Sequence, residues 1–363
     1  MPTPRLAAHS PLSQPTPVPL LPLMPLLALM SLLAACATSD VLRPLGEVER
    51  LSPELDALVA KDARFDVLAE GFEWAEGPLW IPQDGGYVLF SDIPPNRVIR
   101  WQAGEGTSVY LDKSGYLGPT PRPRHIAPDE PGSNGLLLDP EGRLVLCQHG
   151  ERQVGRMRAP LDAPKASYAP IAERFDGKRF NSPNDATLHR NGDLYFTDPP
   201  YGLTRKMEDP SKDLPFQGVY RCARDGTVTL LTKAMSRPNG IAFSPDQRTL
   251  YVANSDPKRA IWMAFPVAAD GTLGEGRVLF DATSMVGREK GLPDGLKVDR
   301  NGVLFATGPG GVLVITPDGR HLGTLRTGEA TSNCAFGEDG ATLFVTADSY
   351  LLRMRLRTTG FGF

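Results

Sequence analysis

The sequence has little excess of either charge and few cysteines. Its 39 Lys and Arg residues stand against 42 Asp and Glu residues, for a formal net charge of −3, and no long basic run occurs. Because nucleic-acid binding depends on concentrated positive charge, we expect no nucleic-acid partner. The four cysteines lie far apart without a CxxC pair, so the sequence does not indicate a disulfide framework.

The chain also lacks the short motifs of several enzyme classes. It contains no Gly-x-Ser-x-Gly elbow, no His-Glu-x-x-His, no P-loop and no dinucleotide-binding fingerprint. These absences disfavour a serine hydrolase of the elbow type, a zincin, an NTPase and a dinucleotide-dependent enzyme.

Long hydrophobic runs are absent except over residues 18–36, which read VPLLPLMPLLALMSLLAAC. Three prolines at Pro19, Pro22 and Pro25 argue against a stable membrane-spanning helix, whereas an apolar stretch that ends in small residues is typical of an export signal. The final Leu-Ala-Ala-Cys resembles a bacterial lipobox, in which the thiol of Cys36 takes a lipid. An ordinary signal peptide with a chance cysteine is the alternative.

This N-terminal pattern predicts export to the periplasm or cell envelope, with a lipid anchor at Cys36 as the only membrane contact. The neutral Ala37 that follows favours the outer membrane. We expect a signal peptide over 1–35, a linker over 36–59, one folded domain over 60–357 and a tail over 358–363.

Glycine and proline are abundant, with 37 and 35 copies, and both interrupt long regular elements. This composition favours many short strands joined by tight turns. Past residue 70 one phrase recurs: a polar residue, usually a glycine, an apolar stretch, a turn and a second apolar stretch. The six copies begin at Glu76, Asn134, Asn184, Asn239, Asp294 and Ser332.

The pattern of each repeat predicts a hairpin followed by further strands, which gives about four strands per repeat. The repeats recur at intervals typical of propeller blades. We therefore predict an all-β fold, a six-bladed β-propeller in a single domain with a central channel. Residues 64–69 would pair with the strand near Tyr350 and close the ring. A β-sandwich or a β-helix is the alternative, and the uneven repeat lengths argue against the β-helix. The insertion over 112–132 breaks the pattern and is expected on the binding face.

Equivalent positions of six blades form a ring around the channel, so the first residues of the six phrases should meet there. They offer two carboxylates, three carboxamides and a hydroxyl, which are oxygen ligands suited to a hard divalent ion. Ca²⁺ is the first choice, with Mg²⁺, Mn²⁺ or Zn²⁺ behind it. The alternative is that the Asn-Gly and Asp-Gly pairs only form turns.

The run from about residue 60 to residue 357 resembles the gluconolactonase branch of the SMP-30/gluconolactonase/LRE-like family. The matching motifs are Glu76-Gly-Pro-Leu-Trp, Ser133-Asn-Gly-Leu, Arg179-Phe-Asn-Ser-Pro-Asn-Asp, Tyr195-Phe-Thr-Asp-Pro-Pro-Tyr-Gly, Gln217-Gly-Val-Tyr, Arg237-Pro-Asn-Gly, Pro293-Asp-Gly and Thr307-Gly-Pro-Gly-Gly. The resemblance implies a six-bladed propeller that uses a channel metal to hydrolyse a small sugar lactone.

By this resemblance Glu76, Asn239 and Asp294 are metal ligands, and Asn184 contacts metal or substrate. The resemblance also makes Asp294 the candidate base that activates water. Asn134 is expected to line the pocket because it is in register with these residues.

Two further residues are weaker candidates for substrate binding. His149 follows the second strand of its repeat and is a possible hydrogen-bond donor, although a loop histidine is often only solvated. Tyr201 is positioned to stack on a sugar-like ring or to fill a gap between blades. Competing hypotheses are a non-catalytic binding propeller, a hydrolase of another ester-like or phosphotriester bond, and a purely structural metal. No protein partner is predicted.

Overall fold

Short antiparallel strands build the fold, in sheets that follow one another along the chain. The computed structural model describes residues 42–363, so the predicted signal peptide and Cys36 lie outside the described residues. Three strands precede the first sheet of the ring: β1 (Pro44–Leu45), β2 (Glu47–Arg50) and β3 (Phe65–Glu70). Short 3-10 helices cover Pro53–Ala57, Lys206–Glu208 and Thr283–Met285.

The first three blades are four-stranded. Blade 1 contains β4 (Ala75–Ile81), β5 (Tyr87–Asp92), β6 (Arg97–Gln102) and β7 (Gly106–Asp112). Blade 2 contains β8 (Ser133–Leu138), β9 (Leu144–Gln148), β10 (Gln153–Met157) and β11 (Tyr168–Ala172). A small hairpin of β12 (Arg174–Phe175) and β13 (Lys178–Arg179) follows. Blade 3 contains β14 (Ala186–Leu188), β15 (Leu194–Asp198), β16 (Gly218–Cys222) and β17 (Val228–Thr232).

The last three blades complete the ring. Blade 4 contains β18 (Pro238–Phe243), β19 (Thr249–Asp256), β20 (Arg259–Pro266) and β21 (Arg277–Asp281). Blade 5 contains β22 (Leu296–Val298), β23 (Leu304–Gly308), β24 (Gly311–Ile315) and β25 (His321–Arg326). Blade 6 contains β26 (Thr331–Gly337), β27 (Thr342–Ala347) and β28 (Tyr350–Arg355), and β3 is its fourth strand.

The ring is closed by pairing the start of the domain with its end. Strand β3 lies antiparallel to β28, with Glu70 opposite Tyr350 and Val67 opposite Leu352. At the axis, the first strand of each blade contacts the first strand of the next, and β26 contacts β4. The predicted six-bladed propeller and its closing strand are confirmed.

The segment before β3, for which the sequence predicts a linker, adds strands to two blades from residue 44 onward. Leu45 pairs with Phe65 in blade 6, and Val48 pairs with Leu325 in blade 5. Leu55 is fully buried between these blades. At the other end of the chain, the hydroxyl of Thr358 in the predicted tail donates to the Asp299 carboxylate at 2.7 Å.

Aspartate side chains shape the recurring turns between the first two strands of a blade. The Asp139 carboxylate accepts the backbone N–H groups of Glu141 and Arg143 at 3.0 and 2.8 Å. Asp299 accepts those of Asn301 and Val303 at 2.8 Å each. Such side-chain caps fix the hairpin register and hence the position at which each inner strand begins.

Within residues 42–363, the hydrophobic core divides into six clusters, and each fills the space between two neighbouring blades. Between blades 6 and 1, for example, Trp80 stacks on Phe344 with ring centroids 5.5 Å apart. Cys147, Cys222 and Cys334 are buried and free. The core therefore lies around the axis as a ring.

Glycines that follow the ring residues let neighbouring inner strands touch. A Cβ on Gly240 would lie 2.2 Å from the carbonyl oxygen of Asp294, and one on Gly77 would lie 2.2 Å from that of Asn134. Gly240 lies within a strand and does not have a positive φ. The glycine of this Asn-Gly pair therefore allows close packing at the axis. It does not form the turn that such a pair also favours.

Candidate active site

Five polar side chains from five blades meet at one end of the channel. They line a cavity of about 430 Å³ and comprise Glu76, Asn134, Asn184, Asn239 and Asp294. Four are buried and Asp294 is half-buried. Each is the second residue of an inner strand or lies two residues before one, which is the position that the repeat register predicts.

The sixth residue of the predicted ring has another role. Ser332 is fully buried, and its hydroxyl hydrogen-bonds the carbonyl oxygen of Ala75 at 2.6 Å and the hydroxyl of Thr346 at 2.9 Å. Because the serine side chain is short and already paired within blade 6 and to blade 1, the ring at the cavity has five members.

Glu76 is held from two sides. Its Oε2 atom accepts the N–H of Gly77 at 2.6 Å and the side-chain amide of Asn333 at 3.2 Å. Both donors come from inner strands at the junction of blades 1 and 6. These contacts fix the direction of the carboxylate before any ligand binds.

The cavity presents oxygen atoms that have no hydrogen-bond donor among the described residues. They are the Oδ1 atoms of Asn134, Asn184, Asn239 and Asp294, all enclosed. A buried polar atom without a partner costs about 1–3 kcal/mol. A bound cation would satisfy such oxygens, and oxygen from carboxylates and carboxamides is the ligand set that Ca²⁺ and Mg²⁺ prefer.

Electrostatics at the cavity also favour a cation. Burial raises the pKa of Glu76, and the negative charge of Asp185 raises it further. Burial also raises the pKa of Asp294, with added repulsion from Glu76, Asp185 and Glu130. Within residues 42–363 no three His, Cys, Asp or Glu side chains group as a metal site, so the asparagines are essential to the proposed ligand set.

Asp185, next to Asn184, is a further buried carboxylate that the sequence did not single out. Burial raises its pKa, and the positive charge of Lys297 opposes that rise. Its Oδ1 atom accepts the N–H of Ala186 at 2.9 Å. Asp185 therefore adds negative potential beside the ring of oxygens.

Ser255 orients a ring residue and was also missed. The Asn239 amide donates to the Ser255 hydroxyl at 3.4 Å, and that hydroxyl donates to the carbonyl of Pro293 at 2.5 Å. Ser255 and Tyr201 line the same cavity, and burial raises the pKa of Tyr201. Tyr201 lines the cavity, as predicted for a substrate-contacting residue.

His149 is fully buried and lies behind the cavity wall. Its Nδ1 atom is 2.9 Å from the Oε2 atom of Glu130. Glu130 lines the cavity, and its side chain is 21% exposed. The structure therefore places Glu130, and not the predicted His149, at the cavity. The only sequence signal for Glu130 is its place in the insertion over 112–132.

Comparisons with known proteins agree with this architecture. The family described as "SMP-30/Gluconolactonase/LRE-like region" matches residues 74–349. A gluconolactonase from Zymomonas mobilis is 38% identical over 321 residues, which cover 87% of this chain and 88% of that protein. A pentonolactonase from Haloferax volcanii is 29% identical over 276 residues, covering 75% of this chain and 80% of that protein.

A solved structure gives the same result. A gluconolactonase from Xanthomonas campestris superimposes with a TM-score of 0.70 at 32% identity, covering 86% of this chain and 98% of that one. The family match runs from the start of β4 to the end of β27 and includes all five cavity residues.

Proposed function

The chain belongs to the SMP-30/gluconolactonase/LRE-like family and is a lactone-hydrolysing enzyme, and we propose that it opens a sugar lactone with the help of a divalent metal ion. The gluconolactonase and pentonolactonase relatives support the sugar lactone, and they argue against a non-catalytic binding propeller. The single observation that supports the metal is the set of enclosed Oδ1 atoms without donors at the cavity.

We propose Glu76, Asn184, Asn239 and Asp294 as the residues that hold the ion, with Ca²⁺ as the first choice. Their oxygens come from four different blades, so binding would tie the inner strands together at the axis. Two carboxylates would balance the charge of a divalent ion at this site.

When bound, the ion would act as a Lewis acid on the lactone carbonyl and stabilise negative charge on its oxygen. Asn134 and Tyr201 would bind the hydroxyl groups and the face of the sugar ring, because both line the same cavity. The family resemblance also gives Asp294 the role of base for the attacking water.

A chelator experiment tests this function. Purified protein is stripped of metal, and acid release from glucono-1,5-lactone is followed with and without Ca²⁺, Mg²⁺, Mn²⁺ or Zn²⁺, after subtraction of spontaneous hydrolysis. We expect a divalent ion to restore turnover in the wild type but not in Asp294→Asn. Unchanged turnover after complete metal removal would contradict the metal role.

We also propose that the N-terminal segment exports the enzyme and that Cys36 carries a lipid. The support is the apolar run over 18–36 and its Leu-Ala-Ala-Cys ending. Mass spectrometry of the mature protein should find a diacylglyceryl group on an N-terminal Cys36. A mature chain that retains residues 1–35, or a cleaved chain without lipid, would contradict the anchor.

A further inference from the structure

A third carboxylate faces the cavity from outside the repeat. Glu130 belongs to the insertion over 112–132 and has no counterpart in the other blades. It lines the same cavity as Glu76 and Asp294, and its negative charge contributes to the raised pKa of both. The proposed ligand set comes from the inner strands, so Glu130 is available for another task.

The insertion holds Glu130 firmly. The N–H of Ala127 donates to the carbonyl of Gly202 at 2.9 Å, and the N–H of Glu130 donates to the carbonyl of Ala127 at 3.2 Å. Ile126 forms a β-bridge with Leu203. The segment that carries Glu130 is thereby docked on the loop that carries Tyr201.

The side chain of Glu130 lies against a buried histidine. The Nδ1 atom of His149 lies 2.9 Å from Oε2 of Glu130. Among the described residues, these two atoms and the Nε2 atom of His149 are enclosed without an aligned hydrogen bond, so the two side chains are in close contact only. His149 is also fixed by its backbone, because its N–H donates to the carbonyl of Gly132 at 3.1 Å. The imidazole therefore packs against Glu130 and is itself held in place by the backbone of His149.

The attacking water needs a proton acceptor whose basicity is not lowered by a bound metal ion. A carboxylate that binds a cation is a poor base, which applies to Glu76 and Asp294 in the loaded enzyme. We propose that Glu130, in place of the Asp294 that the family resemblance suggests, is the catalytic base that accepts the proton of the attacking water, and that His149 is a positioning residue for Glu130. This inference rests on the proposed lactone hydrolysis.

The proposed step is balanced without any further reactant. An O–H bond of water breaks, its proton passes to Glu130, and the water oxygen bonds to the lactone carbonyl carbon. The ester bond between that carbon and the ring oxygen then breaks, and Glu130 returns the proton to the ring oxygen. The products are one hydroxy acid and a regenerated carboxylate.

The first test compares Glu130→Gln with Asp129→Asn. Asp129 is the adjacent acidic residue, and its side chain is 69% exposed. We expect Glu130→Gln to lower kcat about 100-fold, the lower end of what general-base catalysis contributes. KM and the Ca²⁺ affinity measured by calorimetry should change less than twofold, and Asp129→Asn should match the wild type.

Chemical rescue tests the role of the carboxylate itself. Formate supplies a small carboxylate that fits the space left by Glu130→Ala, and we expect it to restore at least a tenth of the wild-type kcat. Hydrolysis by formate alone is measured without enzyme and subtracted. Formate should not restore Asp294→Asn, whose defect is in metal binding.

A double-mutant cycle tests His149. If His149 acts only through Glu130, His149→Asn lowers kcat with KM unchanged, and the double variant Glu130→Gln/His149→Asn is no slower than Glu130→Gln alone. Additive losses would overturn the positioning role. Should His149→Asn fail to fold, the Glu130 variants and the rescue decide the base role alone.

Three results would overturn the base role of Glu130. They are wild-type kcat in Glu130→Gln, a raised KM with unchanged kcat, and a tenfold loss of Ca²⁺ affinity. Turnover of the wild type with and without metal is measured in parallel. If the wild type needs metal for turnover but a Glu130 variant gives one of these three results, only the base role of Glu130 is wrong and the proposed lactone hydrolysis is unaffected.

Discussion

The Asn239 side chain donates its amide N–H to the Ser255 hydroxyl, 3.4 Å away, and this contact leaves the Asn239 Oδ1 atom free at the cavity. The amide N–H is thus hydrogen-bonded to the cavity wall, and the amide oxygen remains available to a cation. Ser255 and Tyr201 line the same cavity, so this hydroxyl group orients a proposed metal ligand close to a proposed substrate contact.

Replacing Ser255 with Ala should therefore weaken metal binding. Partners that orient a metal ligand contribute about 10–100-fold in affinity, and we expect the lower end because the contact is long. Calorimetric titration of the stripped protein with Ca²⁺ measures the change. The matched control is Ser236→Ala, whose hydroxyl bonds Asp256 away from the cavity lining. Equal affinities in Ser255→Ala and the wild type would contradict this orienting role.

Gly240→Ala should separate the inner strands of blades 4 and 5. The added Cβ would lie 2.2 Å from the carbonyl oxygen of Asp294 and 2.7 Å from the Cα of Gly295. Overpacking of this kind costs about 1–3 kcal/mol, and here it also displaces Asn239 and Asp294. Denaturant unfolding should show this loss, together with at least tenfold weaker metal binding.

The control for this substitution is Gly274→Ala. Gly274 is exposed, and the nearest atom to an added Cβ is 3.5 Å away on Pro266. Its stability should stay within about 0.5 kcal/mol of the wild type. A Gly240→Ala protein with normal stability and metal affinity would show that the strands at the axis tolerate separation.

Metal binding should release protons and strengthen as pH rises. Burial raises the pKa of Glu76 and of Asp294, so in the metal-free protein these carboxyls hold protons at a higher pH than ordinary carboxyls do. The ion binds the deprotonated forms and must displace those protons. Calorimetry in two buffers of different ionisation enthalpy counts the protons released between pH 6 and pH 9.

We expect the number of released protons to fall, and the apparent affinity to rise, across this range. Glu76→Gln should release fewer protons than the wild type at every pH. An affinity independent of pH would mean that both carboxylates are already ionised in the metal-free protein.

The ion should also stabilise the fold through Glu76. A ligand present at 100 times its Kd adds about 2.7 kcal/mol to the stability of the protein that binds it. Thermal unfolding with and without Ca²⁺ should therefore show a rise in Tm for the wild type and little or none for Glu76→Gln. The exposed Glu73→Gln variant is the control and should respond as the wild type does. A normal rise in Glu76→Gln would exclude Glu76 as a ligand.

The sequence predicted the ring because the same physical requirement recurs in each blade. A residue such as Asn239 must be followed by a glycine wherever the next inner strand approaches its backbone, and that pairing is visible as a repeat. The prediction was wrong at Ser332, because the register gives the position of a side chain but not its hydrogen-bond partners.

Residues outside the repeat were harder to predict. Glu130 lies in an insertion, so no equivalent position in another blade indicates where its side chain goes. Ser255 is one of many serines, and only the fold brings its hydroxyl to Asn239 and Pro293. Strands β1 and β2 have two and four residues, which is too short for an alternating pattern to stand out.

The proposed metal site is best tested by locating the ion in a crystal. A crystal of the stripped protein soaked in Ca²⁺ should give an anomalous difference peak between Glu76, Asn184, Asn239 and Asp294. We expect one peak there, with Ca²⁺ to oxygen distances of about 2.3–2.6 Å. A fully soaked crystal with no peak among these four side chains would show that the inner strands do not form a metal site.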